Sequence, residues 1–196
     1  MAKHAVREEL HGVLLFVAVV WCVFLVGLVL PVQINAFGIT PRSLVGLIGI
    51  PISPFLHANL RHLLGNTVPL TILLLLLAGS KARSWLTVIY IVLLGGALLW
   101  LFGRPATHVG ASGLIYGLIA FLIVSGFLER RVVPMVISLV VGILYGGTLL
   151  AGIVPTLGSH VSWEGHLFGA IAGVLVARML SKDLNTQQTP VKLSKT

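Results

Sequence analysis

Ser112-Gly113-Leu114-Ile115-Tyr116-Gly117-Leu118-Ile119-Ala120-Phe121-Leu122-Ile123-Val124-Ser125-Gly126-Phe127 carries no charge from end to end. A helix apolar on every face belongs either in the core of a large protein or in lipid. Composition selects lipid. Of 196 residues 57% are hydrophobic and 9% charged, and the mean hydropathy is +1.06. A soluble domain of this size keeps far more polar surface against water.

Five further apolar runs flank this one, at 11–30, 62–79, 85–102, 132–153 and 163–180. Crossing about 30 Å of hydrocarbon takes roughly 20 helical residues. The pattern therefore predicts an all-α integral membrane protein with a bundle of six transmembrane helices. The run 112–127 is short for a crossing, which predicts a start below the outer surface and a loop dipping in to meet it. The run 44–56, broken by Gly46, Gly49, Pro51 and Pro54, predicts an interfacial loop. No alternation of apolar and polar residues suggests a β-barrel. The first run lacks a small-residue cleavage site and reads as a retained span rather than a secretion signal. The expected organisation is a short segment 1–10, one membrane domain 11–180, and a polar tail 181–196 read as disordered. The reading expects no second domain and no internal repeat in these residues.

The formal net charge of +8 invites a nucleic-acid partner, but its distribution argues otherwise. With a cytoplasmic N-terminus, six spans put Lys3, Arg7, Lys81, Arg83, Arg130, Arg131, Arg178, Lys182, Lys192 and Lys195 inside. Arg42, Arg61 and Arg104 fall outside. Ten against three is the positive-inside pattern and predicts cytoplasmic termini. The basicity is topological, with some attraction to anionic lipid headgroups. Cys22 lies mid-span, has no cysteine partner in the chain and reads as packing.

An unsatisfied polar group in hydrocarbon costs several kcal/mol, so polar residues at membrane depth are informative. On this topology His57, His62, Asn66, His108, Ser112, His160 and His166 all fall in the outer half. His62 and Asn66, four apart, share one face of the second span, with Asn59 placed as its N-cap. Ser112 heads the fourth span, and Tyr116 lies one turn below it. Gly113 and Gly117 form a small-residue pair that admits a neighbouring helix. Gly169 and Gly173 repeat it after His166. Two such helices approach backbone to backbone, which places Ser112 near His166.

A serine hydroxyl becomes a nucleophile when a base takes its proton, and a neutral imidazole does so near physiological pH. Attack on a carbonyl creates an oxyanion that needs aimed donors. The Ser112 backbone N–H at a helix start, His62 and Asn66 are suited to that role. The chain's one aspartate, Asp183, lies near the tail, and Glu164 is on another face from His166. The residues therefore predict a Ser112/His166 dyad, with Tyr116 stacked on the imidazole.

With these motifs in place, the chain resembles the rhomboid family of intramembrane serine proteases. Three segments carry the resemblance in order: His57-Ala58-Asn59-Leu60-Arg61-His62-Leu63-Leu64-Gly65-Asn66; Gly110-Ala111-Ser112-Gly113 with Tyr116; and His166 with Gly169 and Gly173. The resemblance implies a bundle around a water-filled cavity opening to the extracytoplasmic side. Ser112 would be nucleophile, His166 general base, and Asn66, His62 and the Ser112 amide the oxyanion site. It implies no cofactor and no metal. Partners would be membrane lipids and the transmembrane helices of single-pass membrane proteins, cut in or beside the membrane. It further makes 132–153 a lateral gate, eased by Gly142, Gly146, Gly147 and Gly152, and 154–162 a lid. A cytoplasmic membrane of prokaryotic type is the expected location. The chain departs from some members at Pro41-Arg42, where they carry Trp-Arg, so the anchoring of that outer loop is left open.

Two rival classes stay in view. One is a catalytically inactive relative that binds membrane helices. The other is a metal-dependent membrane protein using His57, His62, His108, His160 and His166, although no His-Glu-x-x-His pattern is present.

Overall fold

A computed structural model describes residues 2–80, 84–155 and 162–188. Its helices are α1 (Ala2–Val29), the single-turn α2 (Gly49–Ile52), α3 (Leu60–Ser80), α4 (Ser84–Phe102), α5 (Ser112–Glu129), α6 (Val132–Gly152) and α7 (Trp163–Gln188). Among the described residues there is no strand beyond one isolated bridge between Ile39 and His108. Five helices, α1 from Arg7 onward and α3 to α6, are long and apolar enough to cross a membrane. In α7, Glu164, His166 and Arg178 interrupt the apolar run. It packs against α5 and α4.

The core is built around α5. Of its span, 61% is buried, against 17% for α1 and for α6. That is why its sequence shows no polar face: α3, α4, α6 and α7 all pack on it. Its tightest neighbour is α7. A Cβ on Gly169 would overlap the Gly113 carbonyl, and one on Gly173 would overlap that of Gly117. The two glycine pairs therefore interlock, and the same crossing admits α4, where a Cβ on Gly95 would stand 3.4 Å from the Gly169 Cα. Without side chains between them, the axes come close enough for van der Waals attraction to hold the helices where no hydrophobic effect exists.

Two stretches differ from expectation. The run 44–56 is a chain of single helical turns, Val45–Leu47, Gly49–Ile52 and Ser53–Phe55. Pro51 and Pro54 sit where a first-turn N–H is dispensable. At the ends, α1 starts at Ala2 and α7 continues to Gln188, since the first strong breaker after the span is Pro190. Residues 189–196 of the expected tail lie outside the described residues.

The loops at the Ser112 end of the bundle are bound to one another. Ile39 and His108 exchange backbone hydrogen bonds, each 2.9 Å. Arg42, in the left-handed region at φ 59, donates Nη1 to the carbonyls of Leu101 (3.1 Å) and Gly103 (2.9 Å). Trp100 Nε1 returns a bond of 2.8 Å to the Ser43 carbonyl. The first loop is thus anchored to the end of α4 through Arg42.

Candidate active site

The approach to α5 is shaped by Gly110. Its φ of +115 lies in the region that disfavours side chains, and a Cβ there would stand 2.6 Å from the His62 ring. Its N–H is held by the Ser53 carbonyl at 3.0 Å. The chain then turns through the buried Ala111 into Ser112, the first residue of α5. The first N–H groups of a helix have no intrahelical acceptor, so the Ser112 amide opens toward whatever sits at this end.

His166 is buried, at 7% exposure, in the first turn of α7. Its ring stacks on Tyr116 with centroids 4.0 Å apart and planes within 3°. Its Nδ1 donates to the Gly152 carbonyl at 3.0 Å. Because a carbonyl only accepts, Nδ1 carries the proton, and in the neutral ring Nε2 is left as a bare base. Tyr116 donates its hydroxyl to the Thr148 carbonyl at 3.0 Å. The last turn of α6 therefore fixes both rings. Glu164 does not orient the base; it pairs with Arg104 at 3.4 Å.

Ser112 and Tyr116 are one turn apart on the same face of α5, so the ring stacked on Tyr116 lies on the serine's side of the helix. Gly113, next to the serine, meets the residues flanking His166: a Cβ there would be 3.3 Å from the Gly165 carbonyl. The helices are brought together as the glycine pairs foretold. Among the described residues, however, no hydrogen bond joins the Ser112 hydroxyl to His166. Catalytic hydrogen bonds commonly tighten only with substrate bound.

On α3, Asn59 caps the helix by accepting the His62 N–H at 2.9 Å. His62 and Asn66 then face Gly110, with Asn66 Nδ2 at 3.4 Å from a Cβ position there. Asn66 is buried and its Nδ2 lies 3.1 Å from His57 Nε2. His57 is 2% exposed, its ring edge-on to His62 at 5.1 Å. Burial above all, then the neighbouring His62, lowers its pKa to about 4.

Ser112 itself lines a small cavity of about 50 Å³, together with Gly110, Gly113, His108, Ser162 and Gly165 among others. His108 Nδ1 and the Ser162 hydroxyl are 2.7 Å apart, and His108 Nε2 lies 3.2 Å from the Arg104 carbonyl. Among the described residues no group of three His, Cys, Asp or Glu side chains is placed to hold a metal.

The family model of the Rhomboid domain matches residues 41–183. The chain belongs to the rhomboid family. An uncharacterized protein of Mycobacterium tuberculosis is 45% identical over 179 residues, covering 86% of this chain and 74% of its own. An uncharacterized protein of Mycobacterium leprae is 41% identical, over 86% of this chain and 70% of its own. A protein named as a rhomboid protein in Acanthamoeba polyphaga mimivirus is 32% identical over 133 residues, 65% of this chain and 71% of its own. No solved structure matches the chain.

As a rhomboid it is a multi-pass membrane protein, and the geometry gathers Ser112, Tyr116, His166, Gly110, His62 and Asn66 at one end of the α3, α5 and α7 cluster. Periodicity alone left two contacts unread, although His57 heads the first of the three motifs. His57 lies outside the helical register of α3, so periodicity could not bring it to Asn66. Gly152 acts through a carbonyl, which every residue has. Of the glycines expected to ease movement of α6, Gly142, Gly146 and Gly147 have open space where a Cβ would be, while a Cβ on Gly152 would overlap the Tyr116 hydroxyl. His160 and most of the expected lid lie outside the described residues.

Proposed function

We propose that this rhomboid is an intramembrane serine endopeptidase that cuts single-pass membrane proteins in or beside their transmembrane helix. The observation that carries the reading is the immobilised imidazole: His166, stacked on Tyr116 and bonded through Nδ1 to Gly152, beside the serine that heads α5. In a triad a carboxylate performs that orienting task; here a backbone carbonyl does.

In this reading Ser112 Oγ attacks the scissile carbonyl carbon as its proton passes to His166 Nε2. The carbonyl π pair becomes the oxyanion, met by the Ser112 N–H, the Asn66 amide and His62. Collapse breaks the C–N bond, and His166 returns the proton to the leaving amine. Water, deprotonated by the same histidine, then hydrolyses the acyl ester. The polar end of the bundle would face outward, with the termini on the cytoplasmic side of a cell membrane, as the lysine and arginine distribution favours.

The test is cleavage of a single-pass substrate co-reconstituted in vesicles. Wild-type chain should cut it, and Ser112→Ala and His166→Ala should not. Cleavage that persists in Ser112→Ala but stops with a chelator would favour a metal enzyme. A wild-type chain that binds substrate without cutting would favour the inactive helix-binding relative.

A further inference from the structure

The amide of Asn66 has two N–H bonds and one carbonyl, and only one orientation of it can donate to an oxyanion. Nothing on α3 itself selects that orientation. The selecting contact comes from the loop before the helix, where His57 Nε2 lies 3.1 Å from Asn66 Nδ2. One amide hydrogen occupies that contact. The other is left for the side where Gly110 stands, with Nδ2 3.4 Å from a Cβ position there.

We infer that His57 is a positioning residue for the oxyanion donor: its unprotonated Nε2 accepts from Asn66 and keeps the amide N–H₂, rather than the C=O, turned to the site. This rests on the serine-protease reading given above. His57 is well placed to act as a fixed acceptor. It is buried, and its backbone carbonyl accepts Asn35 Nδ2 at 3.2 Å, so its backbone is tied to the loop following α1. An Nε2 that accepts requires the proton on Nδ1. The titratable group facing the ring is His62 from α3, edge-on at 5.1 Å; Asn35 from the loop is neutral. Burial, followed by that second imidazole, keeps the ring unprotonated down to about pH 4. Were Nε2 protonated, two donors would confront each other. The amide would turn over and present its oxygen to a developing negative charge.

The experiment is the rate at which a fluorophosphonate phosphonylates the detergent-solubilised full chain, measured for wild type, His57→Ala, Asn66→Ala and the double variant, with a thermal midpoint for each. His57→Ala is expected to slow phosphonylation about tenfold, less than the roughly hundredfold or greater loss of an oxyanion donor itself. The double variant should then react no more slowly than Asn66→Ala alone, because His57 acts through Asn66. His57→Gln, which keeps an acceptor, should recover most of the rate, while His57→Met should not. That last pair decides the matter if His57→Ala does not fold. A His57→Ala chain that labels at the wild-type rate, effects that multiply in the double variant, or equal rates for Gln and Met would overturn the proposal. A wild-type chain that fails to label overturns the protease reading itself and the role of His57 with it.

Discussion

The Nδ1 of His166 is held by the carbonyl of Gly152, 3.0 Å away, across the gap between the start of α7 and the end of α6. The imidazole is therefore positioned by a helix that is otherwise the least enclosed part of the bundle alongside α1, with 17% of its span buried. Gly152 also lies against Tyr116, whose hydroxyl occupies the space a Cβ would need.

Gly152→Ala should accordingly push the end of α6 from Tyr116 and lengthen its bond to His166. Overpacking of this kind costs about 1–3 kcal/mol. The expected result is a fall in kcat larger than the change in KM, with a lower thermal midpoint. Gly147→Ala, where there is open space, should leave both unchanged and serves as the comparison on the same helix.

Tyr116 contributes a ring and a hydroxyl separately. Tyr116→Phe removes the 3.0 Å bond to Thr148 but keeps the stack on His166, and should cost activity only a few-fold, the worth of about 1 kcal/mol for a hydrogen bond. Tyr116→Ala removes both and should lower kcat much further. Equal losses in the two variants would mean that the hydroxyl, not the ring, orients the base.

Gly169→Val would set a branched side chain against the Gly113 carbonyl. The backbone cannot yield as a flexible side chain would, so the expected outcome is loss of the folded bundle rather than of activity alone. Tryptic digestion of the membranes should reveal it, the variant being cleaved where the wild-type chain resists.

The pH dependence of stability has a defined sign. In the fold His57 has a pKa of about 4, below its ordinary value of 6.5. Between these two values the unfolded chain binds a proton that the folded chain refuses, so stability falls as pH drops through that window and levels off beneath it. Above 6.5 the contribution is complete. The thermal midpoint should decline on acidification across the window, and His57→Gln should flatten that decline.

Much of this was legible in the residues, and the rest was hidden for identifiable reasons. The six long helices follow from apolar runs, because hydrocarbon imposes both length and composition. The α5–α7 crossing follows from Gly113, Gly117, Gly169 and Gly173, since four-residue spacing places small residues on one face. The stacking of Tyr116 follows from its position one turn below Ser112. By contrast, the helical turns within 44–56 were obscured by Pro51 and Pro54, which break long helices but begin short ones. The anchoring of the first loop depends on Arg42 reaching carbonyls about sixty residues further along the chain, and carbonyls leave no trace in a sequence. The Gly152 contact was hidden because it acts through its backbone, and His57, though it heads the first motif, could not be paired with Asn66 because it stands outside any periodic element.

The central claim is that one hydroxyl in this chain is activated by one imidazole. Mass spectrometry of the fluorophosphonate-treated protein tests it most directly by locating the adduct. The account predicts a phosphonyl group on Ser112 that is absent from His166→Ala. An adduct on another serine, or one on Ser112 that forms equally well without His166, would contradict it.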